Sequence, residues 1–286
     1  MKELLVHILE PAKAKLLITY AACLAKDLEL TVRYLLVQAP PHFPLDLPGS
    51  IRSSGKMTVR DIENEKEKIK HHFELQIESA KASEPGLPIL DYDIEVGNPP
   101  EVIYEYCENR DVEAVMLSSS SKNAMFSDDE SNVEIIKKIN NPVWIIPEGI
   151  AYNPFSEIIY ATDYHQEDLP NMKQLIRMMS QFHARITAVH ITGDVDFEEK
   201  VKGEEFITNI KEETGYQMVS IKVLPSTKGE PLVEELHNFA LMMNADLIVL
   251  LRENRGFFDR LFYGSRSEKI AKVTQLPVLI FNEERK

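Results

Sequence analysis

A chain of 286 residues, 44% apolar and 27% charged, has room for two globular domains and an ordinary composition for a protein built on apolar cores. Its formal net charge of −14 excludes a general nucleic-acid binder, which needs clustered Lys and Arg, and no apolar run approaches the roughly 20 residues that span a bilayer. Two cysteines, Cys23 and Cys107, have neither metal-ligand spacing nor the density of a disulfide scaffold, so they are expected as buried, reduced thiols of a cytoplasmic protein.

The opening Met1-Lys2-Glu3-Leu4-Leu5-Val6-His7-Ile8 reads as a first strand and not as a signal peptide. In chain order, the first half alternates a strand near 3–9, a helix near 12–28, a strand near 31–37 and a helix near 59–82. A strand near 89–96, a helix near 99–109, a strand near 112–118, a helix near 131–140 and a strand near 143–147 complete it. Residues 39–58 contain Pro40, Pro41, Pro44, Pro48, Gly49 and Gly55, and form a long connection that reads as a lid or as a plain surface segment. Its counterpart in the second half is only Thr192-Gly193-Asp194.

After the linker Glu148–Pro154 the pattern repeats. Strands are predicted near 157–162, 185–191, 219–224, 246–251 and 277–281, with helices near 168–182, 195–214, 230–243 and 265–274. Asp111-Val112-Glu113-Ala114-Val115-Met116 lines up with Asp246-Leu247-Ile248-Val249-Leu250-Leu251. Pro142-Val143-Trp144-Ile145-Ile146 lines up with Pro277-Val278-Leu279-Ile280-Phe281 at the same offset. Short apolar strands alternating with amphipathic helices predict parallel sheets covered on both faces, an α/β architecture in two tandem copies over 1–147 and 155–286.

Four features in order resemble the universal stress protein family across nearly the whole chain. Ala161-Thr162-Asp163 is similar to its first-strand ending and Ala188-Val189-His190-Ile191 to its second. Gly97-Asn98-Pro99 and Gly229-Glu230-Pro231 precede the third helix of each half, and Gly264-Ser265 precedes the closing Pro277-Val278-Leu279-Ile280. The resemblance implies open, adenine-nucleotide alpha-hydrolase-like sheets of strand order 3-2-1-4-5. It also implies pairing of last strands, here between the halves of one chain, with a homodimer as a further option.

It implies, too, an adenine nucleotide, ATP or another, in the second domain. Ala161, Thr162 and Asp163 would meet the base or ribose, and Ile191 and Leu250 would line the adenine slot. Gly264, Ser265 and Arg266 would hold phosphates through backbone N–H groups at a helix N-terminus. The family's loop reads Gly-x2-Gly-x9-Gly-Ser/Thr, and its two earlier glycines fall here on Leu251 and Asn254. Asn254 can take a positive φ, whereas Leu251 cannot easily replace a glycine. Arg252, Arg255, Arg260 and Arg266 against Glu253 and Asp259 give this loop a local positive balance.

The first half departs further from the pattern. Its first strand ends Ile8-Leu9-Glu10-Pro11, without an Asp, and Asp129-Glu130 or Glu130-Ser131 aligns with Gly264-Ser265. Carboxylates at that helix start would repel a phosphate, so this half is expected to bind no nucleotide.

His190 reads as a satisfied, partly buried residue, His71-His72 as a solvated helix face, and Ser118–Ser121 as loop. Asp163 reads equally as a turn or cap residue before the helix near 168–182. No catalytic constellation or metal site is apparent. Expected, therefore, is a non-catalytic stress-response module without nucleic-acid or membrane partners. The alternatives are an interaction scaffold whose site has decayed and a slow ATPase.

Overall fold

Runs such as Leu4-Leu5-Val6 and Leu247–Leu251 offer water no polar side chain on either side, so they are stable only as strands covered on both faces. The computed structural model describes residues 2–38, 59–87, 91–119, 130–164, 168–227, 232–252 and 276–282. The first half supplies β1 (Glu3–Ile8), α1 (Lys15–Asp27), β2 (Thr31–Gln38), α2 (Val59–Ser83), β3 (Asp91–Val96), α3 (Pro99–Asn109), β4 (Val112–Ser119), α4 (Glu130–Lys138) and β5 (Val143–Pro147). The second supplies β6 (Glu157–Ala161), α5 (Asp168–Met179), β7 (Arg185–Thr192), α6 (Phe197–Thr214), β8 (Val219–Pro225), α7 (Leu232–Met242), β9 (Leu247–Leu251) and β10 (Val278–Phe281).

All ten strands form one sheet of order β3-β2-β1-β4-β5-β10-β9-β6-β7-β8. Each half therefore has the order 3-2-1-4-5, and every pairing within a half is parallel. The halves meet at the sheet's centre, where β5 and β10 run antiparallel with Leu279 opposite Trp144. Burial follows position: β5, β6, β9 and β10 are buried throughout, whereas edge strands β3 and β8 are partly exposed. Helices α1, α2, α5 and α6 pack on one face, and α3, α4 and α7 on the other.

Three boundaries differ from the sequence expectation. A 3-10 turn, Pro11–Lys13, precedes α1, and another, Ser180–Phe182, follows α5 and closes at His183 in the left-handed region (φ 52°). Strand β4 runs through Ser118 and Ser119, which pair with Ile146 and Pro147. Those two serines are strand residues and not loop, and Ser119 is buried. Gly97 is needed for space, since a Cβ there would stand 2.7 Å from Val102 Cγ2. The segment 39–58, the helix near 265–274, and Gly229-Glu230-Pro231 lie outside the described residues.

The linker and the residue after it pack against the first half. Tyr152 donates a hydrogen bond to Asp27 Oδ2 (2.6 Å), and Phe155 stacks on Trp144 with centroids 5.7 Å apart. Both cysteines are free and half-buried, so they are less enclosed than expected; burial pushes the Cys107 thiol up to about 12. No described helix is long and apolar enough to cross a membrane.

Candidate functional site

Open parallel sheets expose the ends of neighbouring loops at the carboxyl ends of their strands, and ligands collect there. In the second half, β6 delivers Ala161, Thr162 and Asp163 to this edge, and β7 delivers Val189 and Ile191. Together with Leu232 and Leu236 of α7 they enclose a cavity of about 10 Å³, room for about one water. Ala161 and Thr162 are buried, while the Asp163 side chain is 34% exposed at the mouth. Leu250 is fully buried on the same sheet face and does not line the cavity. The structure thus brings together Ala161, Thr162, Asp163 and Ile191 of the expected set. Asn254, Gly264, Ser265 and Arg266 lie outside the described residues.

Polar atoms hold the turn after β6 in place. Thr162 N–H donates to Val189 O (3.0 Å), so the strand pairing persists one residue beyond β6. The Thr162 hydroxyl donates to Asp168 Oδ2 (2.8 Å) and accepts from Tyr164 N–H (3.0 Å). The Tyr160 hydroxyl donates to the other Asp168 oxygen (2.8 Å). Asp168 is buried at the first position of α5, which makes it the anchor of the segment that carries Asp163. Tyr164 then adopts φ 60°, a left-handed conformation costly for a non-glycine residue, and lays its ring 4.5 Å from His190.

His190 is central to this edge. Its Nδ1 lies 2.9 Å from Thr162 O and 3.5 Å from Asp163 Oδ1, and its Nε2 lies 3.4 Å from Glu199 Oε2 on α6. Half-burial alone would lower its pKa. The hydrogen bonds to Asp163 and Thr162, with the charges of Asp163 and Glu199, outweigh that and raise it above the ordinary histidine value. Sequence reasoning placed His190 as partly buried but missed its two carboxylate neighbours. Glu199 lies on α6, 36 residues after Asp163, and no local motif links them. Asp168 was not singled out from the sequence, where it only falls at the start of the helix predicted near 168–182.

Arg252, which sequence pattern assigned to a positive loop, is directed elsewhere. Its Nη1 donates to Ile136 O (2.6 Å) and Ile139 O (3.4 Å), at the carboxyl end of α4 in the other half. Arg252→Ala is expected to cost about 1–2 kcal/mol, because it strands these carbonyls at the junction; a lower urea midpoint by circular dichroism would report it.

A larger cavity, about 240 Å³, lies in the first half at the ends of β1, β4 and β5. It sits on the face of α1, opposite to the face that carries Asp163, between Ile8, Leu17 and Ile146 and the rim residues Glu10 and Lys13, which pair at 2.6 Å. Among the described residues no group of three or more His, Cys, Asp or Glu could hold a metal.

Comparison with known proteins agrees with this geometry. The model of the universal stress protein family matches residues 154–282. A universal stress protein of Methanocaldococcus jannaschii is 24% identical over 151 residues, covering 47% of this chain and 86% of that protein. A universal stress protein structure from Archaeoglobus fulgidus aligns over 98% of this chain and 96% of its own, with TM-score 0.65 and 16% identity. The cytoplasmic domain of a prokaryotic cation chloride cotransporter aligns over 98% of this chain and 94% of its own, with TM-score 0.50 and 13% identity. At such identities the structural likenesses speak for the fold alone, and two such different proteins show how little a fold dictates about function. The second half of the chain, residues 154–282, is thus similar to the universal stress protein family.

Proposed function

We propose that this chain is a non-catalytic stress-response protein whose second half holds one adenine nucleotide at the carboxyl ends of β6 and β7. The observation that carries this reading is the meeting of Ala161, Val189 and Ile191, an apolar wall, with the partly exposed carboxylate of Asp163. A purine needs an apolar wall for its faces and an acceptor for its amino group or ribose hydroxyls. The cavity is smaller than a base, so entry requires Leu232 and Leu236 of α7 to shift. ATP is the first nucleotide to test.

Gentle purification, acid release and mass spectrometry would identify a co-purified nucleotide, and calorimetric titration with ATP would give its affinity. Asp163→Ala is expected to weaken ATP about 10-fold or more, the effect of one hydrogen bond to a charged group. An unchanged affinity would remove Asp163 from the site.

The small size of the cavity favours a second reading, an interaction module whose ancestral site is filled by Leu232 and Leu236. That reading predicts no released nucleotide and a melting temperature unmoved by ATP.

A further inference from the structure

The proton inventory at His190 is set by geometry. Thr162 O has no hydrogen to give, so at 2.9 Å the proton of that contact belongs to Nδ1. A neutral ring with its proton on Nδ1 would turn the bare lone pair of Nε2 toward Glu199 Oε2 at 3.4 Å. Two acceptors do not rest face to face, so the contact favours a second proton on Nε2 and with it the imidazolium form. The surroundings suit a cation. Asp163 approaches from the turn after β6 and Glu199 from α6, and the Tyr164 ring lies beside it. Lys202 of α6 faces Glu198 and Glu199, at 3.1 and 3.0 Å, and β8 contributes the uncharged Val223 in register.

Resting on the nucleotide reading above, we propose that His190 is a proton-sensitive positioning residue for Asp163. As imidazolium it ties Asp163 to α6 through Glu199, and on losing its proton it releases that tie and weakens nucleotide binding at this edge. Both consequences have the same sign. With the proton present, Asp163, His190 and Glu199 sum to one negative charge; without it they sum to two, beside an anionic ligand. The raised pKa of His190 sets the window: the latch is fully present below the ordinary histidine value of about 6.5 and is lost as pH rises through the raised value.

Imidazole-nitrogen NMR on the full chain tests the latch without any nucleotide. The expected result is a His190 midpoint above 6.5, with the proton kept on Nδ1 at high pH. Asp163→Asn and Glu199→Gln should each lower that midpoint. A midpoint at or below 6.5, or a high-pH ring protonated on Nε2, overturns the latch.

Calorimetric titration with ATP at pH 6 and pH 9 tests its consequence, and a His190→Gln control subtracts the nucleotide's own protonation. The difference should be a loss of about three- to tenfold at the higher pH, the order of one unit charge acting near a phosphate chain through water and protein. ATP that binds with no pH difference between wild type and control overturns the positioning role. Absence of ATP binding at every pH overturns the nucleotide reading, whatever His190 does.

Discussion

Trp144→Ala is expected to destabilise the fold by about 3–5 kcal/mol, the usual range for truncating a large aromatic in a packed interior. Trp144 is the only tryptophan in the chain and is fully buried. Its strand register places it opposite Leu279, so its loss opens a void at the pairing that makes two five-stranded units one sheet. Its stacking partner Phe155 follows the linker and meets Phe182 edge-on at 5.4 Å, so the void would loosen contacts from both halves. Volume and hydrogen bonding can be separated here. Among the described residues the buried indole Nε1 has no acceptor, a state that already costs free energy. Trp144→Phe removes that orphan donor with part of the ring, and is expected to lose less than Trp144→Ala because it leaves a smaller void. Urea unfolding followed by far-ultraviolet circular dichroism decides between these. An alanine variant within 1 kcal/mol of the parent, the error range of a surface change, would mean that β5 and β10 pair without this side chain.

The alternation of strand and helix was legible because central strands need apolar residues on both sides, and Leu247–Leu251 or Val143–Ile146 have nothing else. The internal repeat then gave both halves the same succession of elements, while their strand order was an implication of family resemblance. Pairing of β5 with β10 was an implication of family resemblance and not of residue pattern, since Val278-Leu279-Ile280-Phe281 would suit any central neighbour. Helix ends were the weakest part. Residues 12–28 have a helical period, but Pro11 starts a tighter turn that shifts the α-helix to Lys15.

The candidate site was legible where a single strand end carries it, as in Ala161-Thr162-Asp163. It was illegible where three elements converge. Thr162 was assigned to ligand, yet its hydroxyl is engaged by Asp168 and by Tyr164 N–H within the fold. Arg252 was read by its charge, whereas its geometry serves two carbonyls in the other half. A charge count along a loop says which ions are near, and says nothing about which backbone groups need them. This contact also makes the junction polar as well as apolar: Asn282 of the second half donates to Asn141 O at 2.9 Å beside it.

Asp168→Ala is expected to cost about 2–4 kcal/mol, because it strands two buried hydroxyl donors, each left with a desolvation penalty of roughly 1–3 kcal/mol. Tyr160 and Thr162 each donate to one Asp168 oxygen at 2.8 Å, and neither can turn to water from beneath the start of α5. Asp168→Asn keeps one acceptor oxygen and presents an amide to the other donor, so its loss should be about half as large. The consequence reaches the site through geometry. Thr162 accepts Tyr164 N–H with the same hydroxyl it offers to Asp168, and this pair of bonds bends the chain at Asp163 and holds Tyr164 at φ 60°. Once Asp168 is removed, only the Tyr164 N–H holds the Thr162 hydroxyl, and the strained Tyr164 backbone can relax and carry Asp163 away from His190. Asp168→Ala should therefore lower the urea midpoint and also lower the NMR midpoint of His190 toward 6.5. Tyr160→Phe, which removes one donor and leaves the Thr162 bond, should lower stability slightly and leave His190 unchanged. If Asp168→Ala lost stability while His190 still titrated as in the parent, Asp168 would be a core anchor with no hold on Asp163.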